Sequence, residues 1–590
     1  MAEQLTNEQQ AAVDSRGRSL LVSAAAGSGK TKVLVERLFS YVEREGANLD
    51  DFLIITYTRA AASELRGKIA RALTERMERD PGNEHLRRQM LRVYRADIKT
   101  VDAFCTALLR ENCHLLGEDA RGHTLRPDFR VLDENDAQAL RERVLARTLD
   151  DFYDRLTPGG ALLADTLGAG RDDSALEALV LELHAKLQAQ PYEDKWLDAQ
   201  RALWSEVPDR IEKTPYGRIL LDEVRRKARH WQRLMQTAAQ EMTQNDALNQ
   251  KYAPAFLDIS YQLEALTAKA DEGWDAARGV SIAFPRLAPV KDSDGGKLKM
   301  RMKALWDGCK AAVKGFGELL NASSGEAAED LRTMAPAMLA LIDLTAEFSR
   351  RYNEEKRRRN AADFSDQEHE AIRLLIGEDG TPTELARTVS TRYREIMVDE
   401  YQDTNEVQNR IFDAISCKGE NLFTVGDVKQ SIYRFRLADP RIFLQHYNTW
   451  PPLAQAGEHE SAKLLLSRNF RSRKEVLEAT NFIFTNVLSA EMGELDYGED
   501  EMLRPGANYV PSDRCGAEFH LLDVPVQAGG QRVRASEAEA AFAADYIHDM
   551  LTSKFPVQDE KTRELRPVRE EDIVILMRSP STRLLDYRRA

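Results

Sequence analysis

The sequence predicts an α/β protein with a parallel central sheet, interrupted by a large and mainly helical insertion. In roughly the first 110 residues, short apolar runs alternate with longer segments of helical spacing, as in a parallel sheet. From residue 111 to 393, long charged segments with apolar residues every three or four positions replace this alternation. Short apolar runs return after residue 394. A chain of 590 residues is also too long for a single hydrophobic core.

The elements of the sheet follow one another along the chain. The N-terminal region predicts strands at 19–23, 52–57 and 98–101, with helices at 31–41 and 59–79. After the insertion, the pattern predicts strands at 395–398, 422–425, 463–466, 518–524 and 573–577. We therefore expect a first α/β domain from 1–110 and 394–460, an insertion at 111–393, and the start of a second, incomplete α/β domain at 461–590.

Three local patterns complete the expected architecture. Apolar residues at helical spacing predict helices at 137–152 and 331–348 inside the insertion. Residues 292–299 are rich in Gly, Lys and Asp, which favours a loop. Ser536 and Glu539 have the spacing of a capping box and predict a helix that continues through Met550.

Composition restricts the class of protein. The chain is 43% hydrophobic and 31% charged, which is typical of globular proteins, and its net charge of −14 argues against a uniformly basic nucleic-acid binder. Local basic runs occur at 87–95 and 356–359, where a solvated helix face is the commoner explanation. Five cysteines without a Cys-x-x-Cys pair indicate neither a zinc site nor a disulfide framework. A polar N-terminus without a long apolar segment predicts a soluble cytoplasmic protein.

The strongest local motif is Ala24-Ala-Ala-Gly-Ser-Gly-Lys-Thr31, between a predicted strand and a predicted helix. Small residues let backbone N–H groups surround phosphates, and a helix N-terminus favours negative charge. Lys30 would reach the β- and γ-phosphates of ATP, and the Thr31 hydroxyl would ligate Mg²⁺. Ala24 stands where the general motif has glycine. We expect nucleotide contacts from Ala24, Gly27, Ser28, Gly29, Lys30 and Thr31.

A second, acidic motif follows the strand at 395–398. Asp399 and Glu400 would emerge at the carboxyl end of this strand, where parallel sheets bind ligands. Asp399 can hold Mg²⁺, and Glu400 can orient and deprotonate an attacking water. A pair of solvated turn carboxylates is the alternative, and the phosphate motif makes it the weaker one.

Taken in order, these motifs resemble those of superfamily 1 helicases of the UvrD/RecB type, which have RecA-like motor domains. Leu5-Thr-x-x-Gln9 looks like the adenine-binding motif, with Gln9 as the amide that contacts the base. The segments 56–64 and 100–105 are similar to motifs that contact DNA, although Asp102 replaces the histidine of many relatives. The resemblance implies DNA contacts by Thr56, Thr58 and Phe104.

Two further motifs extend the resemblance. Residues 425–436 look like the segment that couples nucleotide to DNA, which implies that Gln430 senses the γ-phosphate. Tyr433, Phe435 and Arg436 would face single-stranded DNA, because every base can stack on an aromatic ring. Core packing is the alternative for Phe435. Asn469-Phe-Arg-Ser472 resembles the opening of the second motor domain, where Phe470 would stack on adenine and Arg471 would neutralise the γ-phosphate.

Within this family, residues 425–436 and 493–497 look most like the helicase component of a bacterial helicase–nuclease complex for recombination repair. That resemblance implies an ATP- and Mg²⁺-dependent 3′-to-5′ helicase that acts on single-stranded DNA and duplex ends, with a second protein of the complex as its partner. Members of this branch are about twice this length, so we expect the second motor arginine and the nuclease domain beyond Ala590, and slow turnover by this chain alone. A non-catalytic ATP-binding module and a P-loop phosphotransferase are the alternatives.

Overall fold

The computed structural model describes residues 4–118, 121–167, 174–416, 419–512, 514–524, 534–559 and 562–590, apart from the side chains at 292–295, 436, 491 and 492. Contact clustering divides the chain into two compact units, residues 1–131 with 362–590, and residues 132–361. Among the described residues, no helix combines the length and the apolar character needed to cross a membrane.

A six-stranded parallel sheet forms the centre of the first unit, with strand order β3-β2-β4-β5-β1-β6. Its strands are β1 (Leu20–Ala24), β2 (Phe52–Thr56), β3 (Asp97–Thr100), β4 (Glu395–Val398), β5 (Leu422–Gly426) and β6 (Ala462–Leu466). Apolar side chains bury β1 and β2 on both faces, as expected for strands covered by helices on each side. All six strands were predicted from sequence. Because β6 pairs with β1, residues 462–466 complete this sheet although they lie beyond the expected domain boundary at 461.

Helices cover the N-terminal strands of the sheet. They are α1 (Asn7–Asp14), α2 (Lys30–Glu45), α3 (Arg59–Arg79), α4 (Glu84–Arg92) and α5 (Val101–Asn112). A buried ion pair fixes α2 against β4, because Arg37 Nε donates to Glu395 Oε2 at 2.8 Å. Tyr41 on α2 donates to Glu395 as well. This contact holds the first turn of α2 beside the carboxyl end of β4.

The second unit is helical, and its 132–361 range lies inside the predicted insertion. Its helices are α6 (Glu134–Asp154), α7 (Pro158–Leu167), α8 (Ser174–Gln188), α9 (Glu193–Ser205), α10 (Pro215–Met242), α11 (Asp246–Lys251), α12 (Ala253–Glu272), α13 (Trp274–Arg278), α14 (Asp292–Leu319) and α15 (Ser324–Arg358). The loop predicted at 292–299 is wrong, because α14 begins at Asp292. The break that the composition suggested is only a kink at Gly296, where φ is +49°.

The remaining helices of the first unit are α16 (Phe364–Leu375), α17 (Glu384–Arg392), α18 (Glu406–Ile415), α19 (Pro440–Thr449), α20 (Lys474–Val487), α21 (Ala490–Gly493), α22 (Ala535–Thr552) and α23 (Pro580–Arg589). The predicted capping box is wrong, because α22 begins one residue before Ser536 and the Ser536 hydroxyl donates to Asp586 instead. Two-residue strands at Arg468–Asn469 and Arg504–Pro505 pair in parallel.

The strands predicted at 518–524 and 573–577 do not form in the structure. Alternating apolar residues suit a strand, but a strand also needs a neighbour to satisfy its backbone hydrogen bonds. Neither segment has such a neighbour among the described residues, and Phe519, Leu521 and Leu576 are largely exposed.

Candidate functional site

The loop between β1 and α2 has the shape that a phosphate site needs. Gly27 and Gly29 adopt left-handed conformations, with φ of +68° and +85°, which a glycine reaches without strain. A Cβ atom on Gly27 would lie 2.7 Å from Asn469 Nδ2, so a larger residue does not fit. Lys30 and Thr31 begin α2 directly after this turn. The backbone N–H groups of the first helical turn therefore converge on the loop.

Ser28 gives independent support for an anion in this loop. The residue is buried, and its Oγ makes no hydrogen bond within the part of the chain that the structure describes. Buried hydroxyls normally have a partner, since leaving one unsatisfied costs about 1–3 kcal/mol. A phosphate oxygen in the loop would supply that partner.

The acidic motif lies opposite the loop. Lys30 Nζ is 2.8 Å from Glu400 Oε2, and the Lys30 side chain is only 12% exposed. Glu400 has a left-handed backbone with φ of +51°, which is rare for a residue with a side chain and is typical of functional sites. Its backbone N–H donates to Asp399 Oδ1 at 3.0 Å. The P-loop lysine and both predicted carboxylates thus share one site.

A chain of hydrogen bonds continues from Glu400 to the segment after β5. Gln402 Nε2 donates to Glu400 Oε2 at 2.9 Å, while Gln402 Oε1 accepts from the backbone N–H of Asp427 at 2.9 Å. Asp427 is buried, and it accepts from Gln430 Nε2 at 2.7 Å and pairs with Lys429. Gln430, the predicted γ-phosphate sensor, is therefore connected to the predicted catalytic carboxylate.

The carboxylates of this site are poised to bind a cation. Burial, reinforced by the negative charge of Glu400, raises the pKa of Asp399 and of Asp403 to about 6 in each case, although Lys30 opposes the shift. Asp403 Oδ1 is buried and has no hydrogen-bond partner among the described residues. The described residues contain no cluster of three or more metal-ligating side chains. This donor set suits Mg²⁺, which takes one or two protein ligands and completes its shell with phosphates and water.

A small pocket of about 130 Å³ adjoins the phosphate loop. It is lined by Gln9, Ser28 and Phe470, together with Arg468 and Arg504 on two paired strands. Gln9 is buried, and its Nε2 donates to the Ser28 carbonyl at 2.8 Å. An amide and an aromatic ring at the wall of one pocket match the predicted adenine contacts.

Asn469 joins this pocket to the phosphate loop. Its Nδ2 donates to the Ala26 carbonyl at 2.7 Å, and its Oδ1 accepts from the backbone N–H of Arg471 at 2.8 Å. Phe470 N–H donates to the Gly27 carbonyl at 2.8 Å. A Cβ on Gly506 would lie 2.8 Å from the Phe470 ring, so this glycine supports one side of the ring. The guanidinium-bearing residue Arg471 is exposed beside the loop.

The predicted DNA contacts divide into exposed and buried residues. Thr58 is exposed and caps the N-terminus of α3, since its hydroxyl accepts from the Ala61 N–H. Thr56 is buried, and its hydroxyl donates to the Thr58 carbonyl. Phe104 is only 4% exposed within the apolar face of α5, so its ring is not available for DNA in this structure. Thr56 and Phe104 therefore shape the DNA-contact segments from below.

The second aromatic pair has the opposite environment. Phe435 is 76% exposed, which excludes the alternative of core packing. Its ring centroid lies 5.8 Å from that of the half-buried Tyr433. The side chain of Arg436 lies outside the described part of the chain.

Sequence motifs pointed to the right segments but missed several residues within them. Asp427, Asn469 and Gly506 have no assigned role in the sequence prediction, yet each positions a predicted nucleotide contact. Asp427 and Asn469 lie inside recognised motifs, so an unexplained polar residue within a motif was the available indication. Gly506 gave no such indication, because its role depends on the approach of Phe470.

The fold and the site together define a P-loop motor protein. Residues 5–451 match the family model described as the UvrD/REP helicase N-terminal domain, and the chain belongs to this family. It is similar to AddA, the protein of the ATP-dependent helicase/nuclease, in three bacteria. Identities are 35% with Alkaliphilus oremlandii, 34% with Ruminiclostridium cellulolyticum and 32% with Bacillus licheniformis.

These alignments confirm the predicted resemblance to AddA. They cover 98%, 97% and 97% of this chain, and 47%, 49% and 47% of the respective relatives. The chain thus spans about half the length of the curated relatives that it matches.

Proposed function

We propose that this chain is an ATP-driven motor that moves along single-stranded DNA in the 3′-to-5′ direction. In this proposal it is the motor part of a helicase–nuclease complex in double-strand-break repair and recombination, with an AddB-like protein as its partner. Its substrates are single strands and duplex ends. The direction of movement and the partner rest on the resemblance to the relatives.

One observation supports the motor function most strongly. Lys30, Glu400, Gln402, Asp427 and Gln430 form a continuous series of polar contacts between the phosphate loop and the segment that carries Phe435. A nucleotide phosphate and Glu400 would compete for Lys30. Binding and hydrolysis would therefore change the contacts of Glu400, and that change can reach the aromatic pair through this series.

The residues of the site have distinct roles in the proposed reaction. Lys30 and Arg471 neutralise phosphate charge, and Gln430 contacts the γ-phosphate. Glu400 accepts a proton from the attacking water. Thr31 and Asp399 would hold Mg²⁺, which neutralises the phosphates when it is bound.

Two residues orient the base of the nucleotide. Phe470 stacks on adenine, while the Gln9 amide contacts its edge and bonds to Ser28. Through that bond Gln9 connects the base pocket with the phosphate loop.

Steady-state ATP hydrolysis by this chain, with and without oligo-dT, tests the proposal. We expect slow turnover that rises when oligo-dT is added. ATP binding without turnover would instead support a binding module, and phosphate transfer to an acceptor that ignores DNA would support a phosphotransferase.

A further inference from the structure

Glu368 on α16 contacts the start of α18 with both carboxylate oxygens. Gln408 Nε2 donates to Glu368 Oε1 at 2.7 Å, and Asn405 Nδ2 donates to Oε2 at 3.4 Å. Asn405 and Gln408 also form the capping box of α18, in which each side chain accepts from the backbone N–H of the other. The buried Glu368 carboxylate therefore takes the remaining amide protons of this cap and fixes the helix start.

The helix start is continuous with the acidic motif. Only a single 3-10 turn, Tyr401–Asp403, and Thr404 separate Glu400 from Asn405. The buried Thr404 hydroxyl bonds to the Tyr57 hydroxyl, and Tyr57 lies between Thr56 and Thr58 in a predicted DNA-contact segment. Movement at Asn405 would thus move the turn that carries the catalytic carboxylate.

The other predicted DNA-contact segment reaches Glu368 from the opposite side. The Thr106 hydroxyl on α5 donates to the side chain of Gln367, the residue before Glu368. Asp102, also on α5, is close enough for its charge to act on Glu368. α16 therefore lies between the start of α5 and the start of α18.

We propose that Glu368 is a positioning residue that transmits DNA binding to the acidic turn of the nucleotide site. This inference rests on the proposed motor function and names the element through which its two sites communicate. Glu368 contacts neither substrate. It acts by holding the cap of α18, and the contacts between α5 and α16 determine where that cap lies.

The electrostatic environment supports a role that depends on charge. Burial and the nearby Asp102 raise the pKa of Glu368 to about 7, although Gln408, His369 and Asn405 oppose the shift. The other titratable groups that face it are Cys105 on α5 and Tyr57 after β2. Burial raises the pKa of both, so they stay neutral near pH 7. The ionised Glu368 accepts both amide protons, whereas the protonated form loses one acceptor position.

The test measures how strongly nucleotide changes the affinity for DNA. The coupling ratio is the Kd of labelled oligo-dT without nucleotide, divided by the Kd with Mg²⁺ and a non-hydrolysable ATP analogue. We expect the wild-type ratio to depart from one by about fivefold or more at pH 8, within the usual range of coupling between sites, and to fall towards one near pH 6. Glu368→Gln should keep the low ratio at both pH values, because the amide resembles the protonated acid.

Two further variants isolate the role of Glu368. Glu370→Gln, on the same helix but paired with Arg373, should behave as wild type. Asp102→Asn should move the midpoint of the pH profile to lower pH, because it removes the negative charge that opposes ionisation of Glu368.

Two outcomes would overturn the inference. One is a wild-type ratio and pH profile in Glu368→Gln. The other is an unchanged midpoint in Asp102→Asn. A wild-type ratio of one at every pH, with both ligands bound, would instead contradict the proposed motor function itself. Equal thermal midpoints of the variants and wild type at pH 8 would exclude a loss of fold as the cause.

Discussion

The central sheet and the segments at 518–524 and 573–577 differ in how their apolar residues are covered. In the sheet, side chains such as Ile54 and Val22 are buried between helices on both faces. In the two segments, Phe519 and Leu576 are about nine-tenths exposed. The nucleotide site lies at the end of the covered strands. Its precision therefore depends on a rigid sheet, whereas residues 518–524 and 573–577 contribute nothing to it.

Exchange of the catalytic carboxylate tests whether the sheet edge carries the chemistry. Glu400→Gln should bind ATP but lower turnover by about 10²–10⁴, because the amide cannot accept a proton. Steady-state hydrolysis and equilibrium binding of a fluorescent ATP analogue measure the two effects. Glu406→Gln, on α18, is the matched control. Near-normal turnover in Glu400→Gln would move the base to Asp403.

Removal of the phosphate cation tests the same edge through binding. Lys30→Ala should weaken ATP binding by about 10²–10⁴, the value of two charge-assisted hydrogen bonds at about 1.5–3 kcal/mol each. Titration calorimetry with ATP and Mg²⁺ measures this loss. Lys32→Ala on the same helix should retain the affinity. Equal affinities in wild type and Lys30→Ala would contradict the phosphate-site assignment.

Two truncations compare the sheet with the exposed segments directly. Ile54→Ala should lower the free energy of unfolding by about 2–5 kcal/mol, because it leaves a cavity between packed layers. Leu576→Ser should change it by less than about 0.5 kcal/mol, since its side chain is exposed. Chemical denaturation followed by circular dichroism gives both values. Similar losses in the two variants would mean that residues 573–577 are packed in solution.

The exposed aromatic residue provides the smallest expected effect. Phe435→Ala should weaken oligo-dT binding by about 1–3 kcal/mol, the value of one base–aromatic stack, and leave ATP binding nearly unchanged. Fluorescence anisotropy measures the DNA affinity. Phe482→Ala removes another exposed aromatic, on α20, and should have no effect. A loss of ATP affinity with intact DNA binding would assign Phe435 a structural role.

Sequence patterns predicted the parts of this protein whose determinants are local. The strands of the sheet and the helix at 59–79 follow from apolar spacing, and the nucleotide contacts follow from motifs whose chemistry fixes their order. Phe104 was predicted as a DNA contact because a motif does not show which side of a helix is covered. The segments at 518–524 and 573–577 failed as strands because pairing depends on neighbours that are distant in sequence. The cap formed by Glu368 and Gln408 was missed for the same reason.

The central claim is that nucleotide and DNA sites act on each other through the acidic turn. Oligo-dT affinity, measured with and without the non-hydrolysable ATP analogue in wild type and Lys30→Ala, tests it most directly. We predict that the analogue changes the wild-type Kd by about fivefold or more and leaves the Kd of Lys30→Ala unchanged. A wild-type protein that binds both ligands with no change in either affinity would contradict the claim.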